Sequence, residues 1–142
     1  MRTKRLDLAL GLGLLIFAGL ACNFSASTAN ISGLKLGKDK DVTAETSSFA
    51  AGDTVYALAT ISNAPGAVKV KGRLVIDEVT GEDSGPIPGL EKTLDLAGSG
   101  TATYTFSPPP AGWPKGKYKV EVIMLNETGE QKDQKTADFT VN

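Results

Sequence analysis

Val68-Lys69-Val70-Lys71-Gly72-Arg73-Leu74-Val75-Ile76-Asp77 decides the fold. Lys69, Lys71 and Arg73 recur at every second place, and Val68, Val70, Leu74 and Ile76 fall between them. Period two sends alternate side chains to opposite faces of an extended chain, so this stretch reads as a half-buried strand. Its apolar face needs a second layer to cover it.

The same grammar runs outward in both directions. Upstream, Thr54–Ser62 is rich in Val, Tyr, Thr and Ile and stops at the breaker Asn63-Ala64-Pro65-Gly66. Before it, Ile31–Leu36 reads as a first strand, Gly37–Asp41 as a turn, and Val42–Phe49 as a short extended piece ending at the Ala51-Gly52-Asp53 turn. Downstream, Glu78–Gly89 carries Gly81, Gly85, Pro86, Pro88 and Gly89 among several acids, which predicts a long exposed loop. Leu90–Leu96 and Thr101–Phe106 follow as strands around the Ala97-Gly98-Ser99-Gly100 turn, and Pro108-Pro109-Pro110 must be an extended connection. In Lys117–Leu125 the residues Tyr118, Val120, Val122 and Met124 share a face; Asn126–Gly129 is a hairpin-type turn; Thr136–Val141 alternates Ala137, Phe139 and Val141 inward. About seven strands at short spacing, with no amphipathic helix among them, predict an all-β, two-sheet antiparallel sandwich.

Gly116-Lys117-Tyr118-Lys119-Val120 resembles the tyrosine corner of Ig-like and fibronectin-III-like domains. With Trp113-Pro114 before it and Phe139-Thr140-Val141 at the end, the last third is similar to small Ig-like domains of bacterial secreted lipoproteins. The resemblance implies an Ig-like sandwich over residues 31–142, with the Tyr118 hydroxyl bonded back to upstream backbone. The paired cysteines of true immunoglobulin domains are missing, since Cys22 is the sole cysteine.

Arg2, Lys4 and Arg5 precede an apolar run from Leu8 to Leu20 that ends in Gly19-Leu20-Ala21-Cys22. A basic start, a short apolar core and small residues make a secretory signal, and a cysteine directly after it resembles a bacterial lipoprotein signal. The expected division is a helical signal peptide over 1–21, cleavage between Ala21 and Cys22, a lipidated flexible tether over 22–30, and the sandwich over 31–142. The resemblance implies a diacylglycerol thioether on Cys22, so that membrane lipid is the first partner and the protein is exported and anchored outside the cytoplasm; two or three acyl chains make such binding durable. Gly19 stands where such signals usually carry leucine. A plain signal peptide with Cys22 incidental is the alternative. An uncleaved anchor is another, although the apolar run falls short of the roughly 20 residues a spanning helix needs.

Removing residues 1–21 leaves 121 residues, one domain's worth. Their net charge is about −3, because Arg2, Lys4 and Arg5 against Asp7 account for +2 of the formal −1. Binders of nucleic acid carry basic patches or stripes, so no nucleic-acid partner is expected. The chain has no histidine, which removes the commonest general base and a common metal ligand. No Gly-x-Ser-x-Gly elbow appears either. Asp77-Glu78 point to opposite faces if extended, Glu82-Asp83 read as a solvated acidic loop, and Asp39 and Asp41 lack calcium-loop spacing. No catalysis, cofactor or metal is expected.

The expectation for function is a non-catalytic module that binds a protein or glycan partner through end loops or an exposed edge strand. Trp113 and Pro86-Ile87-Pro88 are the candidate interaction loops. Trp113 reads either as a stacking platform or as a lid over the core with its N–H bonded to backbone. Lys69, Lys71 and Arg73 read either as a basic stripe for anionic lipid or as a solvated strand face that discourages aggregation. The alternatives are an Ig-like protease inhibitor, acting through Glu78–Gly89 and Pro108–Lys115, and a subunit of an envelope assembly that pairs by strand addition.

Overall fold

The computed structural model describes residues 28–142. The leader and the expected lipidation and cleavage residues Ala21 and Cys22 lie outside them, as does most of the tether.

Eight strands follow in order: β1 (Asn30–Gly37), β2 (Ser48–Phe49), β3 (Val55–Ser62), β4 (Val68–Val79), β5 (Gly85–Leu96), β6 (Gly100–Phe106), β7 (Gly116–Leu125) and β8 (Gln131–Val141). They form a three-stranded sheet, β1-β3-β6, packed on a five-stranded sheet, β2-β8-β7-β4-β5. The all-β sandwich is therefore present, with three departures from the expected strand plan.

First, the extra strand is β2, and its pairing with β8 is parallel, Ser48 beside Thr140 and Phe49 beside Val141. Upstream of it, the expected extended piece starts instead as a turn. The Asp39 carboxylate accepts from the Thr43 N–H and hydroxyl, and buried Val42 is held at a φ of +47°.

Second, the expected loop Glu78–Gly89 is mostly strand. Glu78 and Val79 finish β4, and Gly85 and Pro86 open β5 opposite Ile76 and Val75. Proline is tolerated here because β5 is an edge strand and one of its rows of N–H groups has no ladder to feed. Ile87–Leu90 face no partner on β4, a bulge made possible by Gly89 at a φ of +83°.

Third, β8 begins at Gln131 rather than Thr136, carried there by continued pairing with β7. Its Asp133 carboxylate also accepts from the Ile31 N–H at 2.8 Å, which ties β8 to the first strand of the other sheet.

The core lies between the sheets. Val70, Leu74, Val120, Val122 and Met124 of the larger sheet face Ala57, Ala59, Ile61, Ala102 and Phe106 of the smaller one, all nearly inaccessible. Tyr104 spans the gap. Its ring lies over Gly72, where a Cβ would come within 2.6–2.7 Å of three ring carbons. Its hydroxyl donates to the Val70 carbonyl at 2.6 Å. Gly72 thus takes an inward place in β4 because the ring needs its missing side chain. At one end, Phe49, Trp113, Tyr118 and Phe139 form a chain of ring contacts with centroids 5.2–6.3 Å apart.

Candidate functional site

Trp113 is buried within that aromatic chain. Its Nε1–H donates to the Asp53 carbonyl at 2.7 Å and its backbone N–H to the Ala51 carbonyl at 2.8 Å. The indole closes the core and offers no free face for a ligand. Asp53 is itself held by the Ala50 N–H at 2.7 Å and by Lys38 at 3.2 Å, and these contacts lower its carboxyl below the usual range. The Tyr118 hydroxyl donates to the Pro114 carbonyl at 2.6 Å, the bond a tyrosine corner implies. Burial, and then the Glu82 carboxylate, push that hydroxyl's pKa up. The loop from Pro108 to Lys115 is therefore bound down at several points. Pro86-Ile87-Pro88 belong to edge strand β5 rather than to a loop tip, so Trp113 and this stretch do not combine into one interaction loop.

The row Lys69, Lys71 and Arg73 does face outward, but each charge has an acidic partner on a neighbouring strand. Lys69 meets Asp95 at 3.5 Å, Lys71 meets Glu91 at 3.1 Å and Arg73 meets Glu121 at 2.5 Å. A stripe so neutralised has little left for an anionic surface. The carboxylates Asp77, Glu78, Glu82 and Asp83 do not gather into a site. Glu78 reaches Lys117 at 3.9 Å, and the Asp77 carbonyl accepts from the Ser84 hydroxyl.

An open cleft of about 310 Å³ lies between the two sheets, lined by Leu36, Glu45, Thr46, Ser47, Ala137 and Asp138. The strap Glu45–Ser47 crosses there from β1 to β8: Thr46 N–H donates to the Leu36 carbonyl, and Thr140 N–H to that of Ser47. Its lining is mostly exposed and polar.

The strand edges differ more sharply. β5 carries Pro86, Pro88 and an exposed Lys92 at the register position opposite inward Gly72. β8 sets an exposed Lys135 at the register position opposite buried Val122 and is partly covered by β2. Proline and inward charge are the usual guards against unwanted strand addition. β1 is engaged at its ends by Asp133 and by the strap. β6, Gly100-Thr101-Ala102-Thr103-Tyr104-Thr105-Phe106, has none of these. It pairs with β3 in unbroken register from Val55 opposite Phe106 to Ile61 opposite Gly100. Among the described residues its other edge has no strand partner, and its seven residues include no charge and no proline. Sequence reading found this strand but not its position: the uncharged Thr/Ala/Tyr/Phe run between two breakers was the available signal, and edge status emerges only with the sheet order.

No family model and no curated protein matches the chain. Among solved structures, it is similar to a β-glucuronidase from Bacteroides uniformis, with a TM-score of 0.52 and 14% identity over 79% of this chain. The chain spans only 14% of that enzyme's length. It is also similar to an immunoglobulin-like protein from Pseudomonas aeruginosa (TM-score 0.45, 14% identity, 82% of this chain and 98% of that one). A Niemann-Pick type C2 protein from the Japanese carpenter ant matches 82% of this chain and 96% of its own, at 14% identity and a TM-score of 0.47. At these identities the likeness is one of fold alone, an all-β sandwich of two sheets.

Proposed function

We propose that the chain is an exported lipoprotein, anchored through an acylated Cys22, whose Ig-like domain is a non-catalytic interaction module for a protein partner. The observation that carries the reading is the contrast between strand edges. The domain guards β5 with proline and β5 and β8 with lysines on the side of the strand that faces the other sheet, yet leaves the outer edge of β6 uncharged and, among the described residues, without a strand partner. A bare edge offers a row of backbone donors and acceptors to an incoming strand, a common mode of protein recognition. The charged side chains of the larger sheet are spent on one another, which supports a binding rather than an acid–base role. An inhibitory loop at Pro86–Gly89 gains no support, because that stretch is strand.

The test pairs a lipid label with a partner search. Cells fed an alkyne analogue of palmitate should label the full chain and not its Cys22→Ser variant. Crosslinking of the same intact cells, read by mass spectrometry, should give intermolecular crosslinks to Lys35, on the opposite edge strand of β6's sheet, and to Lys92, on edge strand β5 of the other sheet. Absence of label removes the anchor, and absence of any intermolecular crosslink removes the interaction role.

A further inference from the structure

The bare edge of β6 has a property that narrows its partner: it is complementary to itself. We infer that β6 pairs antiparallel with β6 of a second copy of this chain about a two-fold axis through Thr103, joining two three-stranded sheets into one of six strands. The inference rests on the reading of the domain as an interaction module and names that module's partner.

Any two-fold pairing sets a strand against its own reverse, so each charged residue risks meeting a like charge. On β8, with Lys132, Asp133 and Lys135, and on β5, with Glu91, Lys92 and Asp95, a reversed copy brings charges to face unmatched neighbours. On β6 no register does so, because the strand has no charge. Full overlap of the seven residues puts Thr103 on the axis and sets Thr101 opposite Thr105 of the second copy. Ala102 then meets Tyr104, a small residue beside a large one. The outward face becomes a ladder of threonine pairs, which are favourable across antiparallel strands. Thr101 and Thr105 are exposed and Thr103 half-exposed, and β6 has no bulge to turn the edge away.

One strand pair buries less than the roughly 1,200 Å² typical of a stable interface. Anchoring both copies in one membrane raises their effective concentration and offsets that shortfall.

The test uses the full chain carrying Thr103→Cys, oxidised in membranes and, with Cys22→Ser added, in detergent extract. Opposed residues of an antiparallel pair stand about 4.5–5.5 Å apart at Cα, within disulfide reach. Thr103→Cys should give a covalent dimer at least ten-fold more abundant than Thr93→Cys on β5 or Gln134→Cys on β8. Adding Thr101→Lys with Thr105→Lys sets like charges opposite and should cut the dimer about ten-fold. Replacing them by Thr101→Lys with Thr105→Glu sets opposite charges face to face and should restore it. No dimer in either setting overturns the proposal, as does a dimer indifferent to the lysine pair or one lost in both charged variants. If the palmitate label is absent but the Cys22→Ser, Thr103→Cys dimer forms, the anchor fails and the pairing stands.

Discussion

The outer faces of the two sheets are built on different principles. The five-stranded sheet presents a lattice of opposite charges in which Lys69, Lys71, Arg73 and Lys117 each meet an acid on the neighbouring strand. The three-stranded sheet presents Ser32, Tyr56, Leu58, Thr60, Ser62 and the three threonines of β6, with Lys35 as its charge. One face is a network of ion pairs; on the other, Ser32 bonds to Ser62 and to the Thr60 carbonyl, and the exposed threonines of β6 face solvent. Paired charge on the first keeps the sandwich soluble and opposes like surfaces. The neutral second face costs little to extend, which is why the edge that continues it matters.

The largest expected effect tests whether the two faces are held back to back by the tyrosine between them. Gly72→Ala drives a methyl into the Tyr104 ring, and the sheets must separate or the ring must leave. A loss of about 3 kcal/mol is expected, within the range for overpacked cores, read as a fall in the urea midpoint; an unchanged midpoint would show the sheets to be loosely joined.

Next comes the charged face. Arg73→Ala leaves Glu121, only 8% exposed, without its partner. Removing one member of a buried pair costs 3–5 kcal/mol; the partial exposure of Arg73 lowers that to about 2 kcal/mol. Thr103→Ala on the other face should move stability by less than about 0.5 kcal/mol. Equal losses at the two positions would erase the contrast.

Tyr104→Phe removes the hydroxyl's bond to the Val70 carbonyl, at a cost of about 1 kcal/mol. Burial raises the pKa of this hydroxyl above its ordinary 10. A raised folded-state value means stability present in full below about pH 10 and lost as pH rises further. Unfolding at pH 8 and pH 10.5 should therefore show a steeper alkaline loss in the parent chain than in Tyr104→Phe. The smallest effect concerns salt: the exposed pair Lys69–Asp95 is worth under about 1 kcal/mol and should weaken in 1 M salt, so Lys69→Ala should matter little there.

Much of the fold was legible because period two is robust where one side of a strand faces a core. Val68–Asp77, Lys117–Leu125 and Thr101–Phe106 alternate cleanly and became β4, β7 and β6. The reading failed where other forces set the backbone. Gly85–Gly89 carries every breaker signal, yet an edge strand tolerates proline and a bulge absorbs the glycine. Gln131–Lys135 is polar on both sides and is extended because β7 and Asp133 hold it there. Ser48-Phe49 is too short to signal anything; its pairing depends on residues at the far end of the chain. The candidate site was half visible, since the strand could be read from residue types but its place at the rim could not. The Tyr118 bond to Pro114 was expected, whereas the acids facing Lys69, Lys71 and Arg73 required the strand order β7-β4-β5.

The parallel tie between β2 and β8 has a consequence for folding. The Phe49 carbonyl accepts from the N–H of Asn142, and the Thr140 N–H donates to the Ser47 carbonyl. The strap that closes the side of the sandwich is thus fastened by Thr140 and Asn142, which lie far downstream of it in the sequence. Until β8 docks, the aromatic chain at that end lacks its Phe139 link to Phe49 and Tyr118. Closure of this side of the sandwich therefore waits on β8, a contact between segments remote in sequence that slows folding more than a local one does.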